Sequence, residues 1–169
     1  SKGKRLAIWV MASWSGPLSR LERYAAIGAV QDLGLNAWMR PSGTTPGIQG
    51  ANIDFDLNQA GGKVKLDLHG GSVNLVGFLE ESQIPFDALT GNISWKQEGP
   101  QISVSGPDLK FSNSDVQGEV QLKWQTSAPG SGSEAEQNLR FPGLLDLQAT
   151  LSRARAARVS RYLPLGMDK

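Results

Sequence analysis

Apolar and polar residues alternate with a period of two along much of this chain. The cleanest run is Val116 to Trp124, in which Val116, Gly118, Val120, Leu122 and Trp124 share one parity. Gln117, Glu119, Gln121 and Lys123 hold the other. Successive side chains on a strand point to opposite faces, so each such run predicts a strand with one oily side. A short phrase, apolar-any-Gly before the alternation, recurs at Leu89-Thr90-Gly91-Asn92-Ile93-Ser94-Trp95 and at Val116-Gln117-Gly118-Glu119-Val120. A looser copy reads Ile48-Gln49-Gly50-Ala51-Asn52-Ile53-Asp54-Phe55.

The same reading extends over most of the sequence. Leu6 to Trp14 is apolar on both parities and predicts a partly covered strand. Pro17 to Val30 is open between helix and strand; Gly28 and Gly34 disfavour a long helix and tip the reading to strand. Pro41 to Gly50 reads as a loop from its prolines and glycines. Ile53, Phe55 and Leu57 alternate, a Gly61-Gly62 turn follows, and Val64, Leu66 and Leu68 alternate again, which predicts a hairpin. A turn at Gly70-Gly71 leads to Val73 and Leu75. Ile93 and Trp95 pass through a Gly99-Pro100 turn to Ile102 and Val104, and Gly106-Pro107 precedes Leu109 and Phe111. The stretch 126–138, rich in Ser, Gly and Glu, predicts a flexible loop insert. Leu145, Leu147, Ala149 and Leu151 make a last strand. Ser152 to Tyr162 then reads as a short helix, with Ser152 as N-cap and Pro164 as stop. The expectation is an all-β, mainly antiparallel chain of nine or ten strands (by this count, about) with one short C-terminal helix.

The shared parity poses the functional question. Ile53, Phe55, Leu57, Val64, Leu66, Leu68, Val73, Leu75, Ile93, Trp95, Ile102, Val104, Val120, Leu122, Trp124, Leu145 and Leu147 form one apolar set. A second sheet could cover it, giving a structural or protein-binding β-sandwich. Otherwise an apolar ligand covers it, giving an open groove.

Composition narrows the chemistry. In 169 residues, Lys+Arg 17 against Asp+Glu 16 gives a net charge of +1, so no global field draws the chain to nucleic acid. Gly 20 and Pro 9 suit a turn-rich β protein, and Cys 0 removes disulfides, thiolate metal sites and thiol nucleophiles together. No apolar run approaches the roughly 20 residues of a membrane span. The chain reads as a segment of a longer polypeptide, with any membrane anchor outside it.

Candidate catalytic chemistry is thin, and the expectation is no enzyme, no catalytic residue, no metal and no cofactor. His69 is the single histidine and sits beside glycines, where a surface role is the ordinary one. Asp54, Asp56 and Asp67 fall on polar parity, and Glu80 and Glu81 in a connection. No Gly-x-Ser-x-Gly elbow surrounds any serine. Trp95 and Trp124 are in phase with the apolar set, which favours a core or groove over a sugar platform. Arg153, Arg155, Arg158 and Arg161 only partly share one α-helical face; they fit a solvated helix or a basic collar near lipid headgroups or an adjoining segment.

The order of several phrases resembles the AsmA-like envelope proteins, in particular the YhdP branch. These are Pro46-Gly47-Ile48-Gln49-Gly50, Gly61-Gly62, Ile84-Pro85-Phe86-Asp87-Ala88-Leu89-Thr90-Gly91-Asn92-Ile93-Ser94-Trp95, Asn113-Ser114-Asp115, and Arg161-Tyr162-Leu163-Pro164-Leu165-Gly166-Met167. The resemblance spans about Trp9 to Met167. It implies a periplasmic segment of an inner-membrane-anchored protein: a curved, elongated sheet whose open apolar groove carries phospholipid between the inner and outer membranes. Acyl chains and neighbouring segments of the same polypeptide would be its partners, and exposed edge strands would invite self-association. On that expectation the groove is lined by Ile53, Phe55, Leu57, Val64, Leu66, Leu68, Ile93, Trp95, Ile102, Val104, Val120, Leu122, Trp124, Leu145 and Leu147. The 126–138 insert matches no phrase of the family.

Overall fold

A computed structural model describes residues 7–17, 22–40, 43–77, 79, 81–126 and 143–162. The strands are β1 (Ala7–Ser15), β2 (Arg23–Leu35), β3 (Trp38–Arg40), β4 (Gly43–Thr45), β5 (Gly47–Asn58), β6 (Gly61–Asn74), β7 (Gln83–Glu98), β8 (Gln101–Ser112), β9 (Val116–Gln125) and β10 (Leu144–Ala154). A 3-10 helix, Ala156–Tyr162, follows. Eight strands form one antiparallel sheet in the order β1-β2-β5-β6-β7-β8-β9-β10, and β3 and β4 make a separate ribbon. The sheet is open: β1 and β10 lie at its two edges, and it does not close into a barrel. Among the described residues no second sheet faces it, so the sandwich arrangement is absent here.

The long strands are not uniformly paired. Register jumps occur between Val30 and Leu33 in β2, Gln49 and Ala51 in β5, Thr90 and Ser94 in β7, and Leu151 and Arg153 in β10. Side chains replace the interrupted ladder. Asn52 Oδ1 accepts from the Asp32 N–H at 2.9 Å, where Asp32 has φ 56°. Asp108 accepts from the Asn92 N–H at 2.9 Å and from Asn92 Nδ2 at 2.8 Å. Those bonds hold the Asp108 carboxyl below the usual carboxylate range, with the Asn92 backbone N–H as the main cause.

These irregularities restore the apolar phase. Val30 and Leu33, Ile48 and Ala51, and Gly106 and Leu109 are each three apart across a register jump, a spacing that a regular strand would place on opposite faces. Yet Leu33, Ile48, Phe86 and Leu89 all pack against the cluster of Ala51, Leu66 and Leu68. A bulge adds one residue to one strand and so turns the following side chains over.

Several boundaries differ from those read in the sequence. The segment read as a loop, Pro41 to Gly50, contains β4 and the start of β5. The β5–β6 turn is Gln59-Ala60, closed by Asn58 Oδ1 accepting from the Ala60 N–H at 2.8 Å. Gly61 and Gly62 instead open β6, and a Cβ on Gly62 would meet the Trp95 ring at 2.6 Å. Gly70-Gly71 is no turn. β6 runs through it with Gly70 at φ 65°, and Leu75 falls in the connection beyond the strand. His69 is therefore inside a strand. Gly106-Pro107 lies within β8. Ser152 is no N-cap either: β10 continues to Ala154, and the Ser152 hydroxyl donates to Gln117 O at 3.2 Å. The Pro17–Val30 ambiguity resolves as strand from Arg23 onward. Apart from Thr126, the 126–138 insert lies outside the described residues, as does Pro164.

Candidate functional site

Directly opposed residues on neighbouring strands share a face, so the registers trace each row across the sheet. One row runs Ala12, Ala26, Leu57, Gly62, Trp95, Val104, Trp124, Leu145. The next runs Val10, Gly28, Phe55, Val64, Ile93. Leu122 and Leu147 pair beside it, and Val120 faces Leu109 and Ala149. Ile8, Val30, Ile53, Leu66 and Gly91 make a third row. Ala51, Leu68, Leu89, Phe111, Gly118 and Leu151 make a fourth. Ile102, opposite Gln97, extends the face beyond the Trp95 row. The fifteen groove candidates thus occur on one side of the sheet, joined by Ile8, Val10, Val30, Leu33, Ala51, Leu89, Leu109, Phe111 and Leu151. The sequence pattern missed the added residues for two reasons. β1 is apolar on both parities, and the three-residue spacings hide the phase elsewhere.

The opposite side is mostly polar: Asn52, Asp54, Asp56, Lys63, Lys65, Asn92, Ser94, Lys110, Glu119 and Lys123. His69 Nε2 lies 2.8 Å from Asp67 Oδ1 on this exposed side. Among the described residues its exposed large apolar side chains lie at the two edges: Trp9, Met11 and Ile27 toward β1, and Leu144 on β10. Among the described residues no three His, Asp or Glu come together as a metal site.

At the end of the sheet reached by Phe111 a polar network closes the β8–β9 turn. Asn113 is 3% exposed, and its Oδ1 accepts from the N–H groups of Asp115 and Val116, both at 2.9 Å. Its Nδ2 donates to Pro85 O and to the Tyr162 hydroxyl, both at 3.0 Å. Arg153 donates to Asn113 O at 2.7 Å, and Arg161 pairs with Asp115 Oδ2 at 3.0 Å and with Glu81. The Glu81 hydrogen bond is the main cause that makes the Arg161 guanidinium hold its proton more firmly. Partial burial raises the Tyr162 phenol. This network ties the C-terminal 3-10 helix across the sheet end. It also explains two of the sequence phrases: Asn113-Ser114-Asp115 and Arg161-Tyr162 are far apart in the chain and bonded in the fold.

A family model, described as YhdP protein, matches residues 10–169. The chain belongs to the YhdP family. No curated protein and no solved structure matches it significantly. Among the described residues of this YhdP chain, no helix is long and apolar enough to cross a membrane.

Proposed function

We propose that this YhdP-family chain is a periplasmic lipid-conduit segment that carries phospholipid acyl chains along its apolar face. In this role it supports phospholipid transport between the inner and outer membranes, and with it the outer-membrane barrier. The observation that carries the reading is the apolar face itself: eight strands contribute to it, and among the described residues no second layer covers it. Burying a CH₂ is worth about 0.8 kcal/mol, so two sixteen-carbon chains would face a cost above roughly 20 kcal/mol in bare water. A continuous apolar strip replaces that water without large steps in free energy. Nothing in such transport needs a nucleophile or a metal.

The dimensions assign the chain a part of the path. Eight strands at about 4.8 Å spacing make a sheet roughly 35–40 Å across. Neighbouring segments of the same inner-membrane-anchored polypeptide would extend it by pairing with the edges of β1 and β10, and an isolated chain would offer those edges to a second copy.

Native mass spectrometry of the chain purified from a Gram-negative host tests the reading. Co-purified phospholipid is expected, and its loss in Leu122→Glu, with a melting temperature close to that of the parent, is expected too. Leu122 is half-buried, so the new carboxylate keeps access to water. A chain that carries no lipid in either form, or a variant that retains it fully, would sink the conduit.

A further inference from the structure

The C-terminal helix changes the meaning of its arginines. On an α-helix Arg155, Arg158 and Arg161 would drift around the surface, but a 3-10 helix has three residues per turn and side chains at i and i+3 eclipse. The Arg158 N–H donates to Arg155 O at 2.8 Å, the i to i+3 bond that sets this winding. The Arg155 N–H in turn donates to Asp115 O at 2.9 Å, fixing the start of the turn on the sheet end. All three arginines line one cavity of about 210 Å³, with Tyr162, Ser114, Pro85 and the buried Ile84 in its wall.

The charges in that cavity are not equivalent. Arg161 is answered by Glu81 and Asp115. Arg155 and Arg158 are exposed and, among the described residues, have no ion-pair partner. The carboxylates are thus occupied on one side of the cavity, and two guanidinium groups are left on the other. Adjacent guanidinium forks match the several oxygens of a phosphate, and each can bond it through two parallel N–H groups.

We propose that this cavity is a phosphate-anion site, in which Arg155 and Arg158 bind a phosphate mono- or diester and the Asn113–Asp115–Arg161–Tyr162 network holds the helix in register. The anion has two possible sources: a lipid headgroup, which rests on the conduit reading, or a free phosphate compound, which does not.

Titration calorimetry of the chain with inorganic phosphate, dihexanoylphosphatidylglycerol and phosphate-free dihexanoylglycerol tests the site. Arg155→Gln/Arg158→Gln should weaken phosphate binding roughly tenfold or more, while the Lys/Lys double variant recovers part of it. Because both side chains are exposed, the melting temperature should stay at the parent value. A parallel loss of phosphatidylglycerol affinity identifies the headgroup as the source. Loss for inorganic phosphate alone identifies a free phosphate compound. Phosphate binding that is absent in the parent, or unchanged in the Gln/Gln variant, overturns the site. Failure of the conduit reading is distinct: dihexanoylglycerol would then not bind, whatever phosphate does.

Discussion

The central and outer strands carry the same alternation on the same face, yet their side chains live in different surroundings. Leu68 in β6 is 0% exposed and Leu66 is 9%, whereas Leu147 in β10 is 50% and Val10 in β1 is 53%. The residues are alike in chemistry. The difference is the number of neighbouring strands, and the contacts that Ile48, Phe86 and Leu89 add over the centre. The centre of the sheet is therefore its stabilising core. The outer strands keep their apolar area available, for a ligand or for the next stretch of sheet.

Paired truncations would break or sharpen this contrast. Leu68→Ala should destabilise the chain by about 2–5 kcal/mol, and Leu147→Ala by less than about 1 kcal/mol, measured by denaturant melts. Equal losses would mean that the edge is covered in solution, by self-association or by lipid. Next in size is the polar end of the centre. Asn113→Ala leaves the N–H groups of Asp115 and Val116 without their acceptor and leaves Tyr162 with only its bond to Asp115, at an expected cost of about 1–3 kcal/mol. A melt unchanged by that substitution would show that the C-terminal helix is not held by this network.

The smallest effect concerns Asp108. Its carboxyl is held below the ordinary value by Asn92, so its contribution is fully present above the unfolded value of about 3.9 and is lost as pH falls through the lower folded value. The melting-temperature gap between the parent and Asp108→Ala should therefore be open at pH 7 and narrow as the pH drops below about 4. A gap of constant width would mean that the bulge bonds with Asn92 do not depend on charge.

Much of this was legible in the chain. Period-two alternation places Ile53, Val64, Ile93 and Leu122 on strands, whereas Gly91 and Gly118 in the glycine phrases lie inside β7 and β9, which are already paired before them. Gly61-Gly62 reads as a turn in the sequence because glycine signals permissive space as well as a turn, and in the fold that space belongs to Trp95. The Asn113 network was not legible, since its partners Pro85, Arg153, Arg161 and Tyr162 are distant in sequence.

The sequence by itself determined that this is a β chain with one oily parity, because the alternation of side chains on a strand is a local property of the backbone. Only the tertiary structure decided that the sheet stays open, where the bulges reset the phase, and that Arg155, Arg158 and Arg161 align. Those outcomes depend on strand neighbours and on a winding of three residues per turn, which the hydrogen bonds donated to the Asp115 and Arg155 carbonyls impose and which no local pattern encodes.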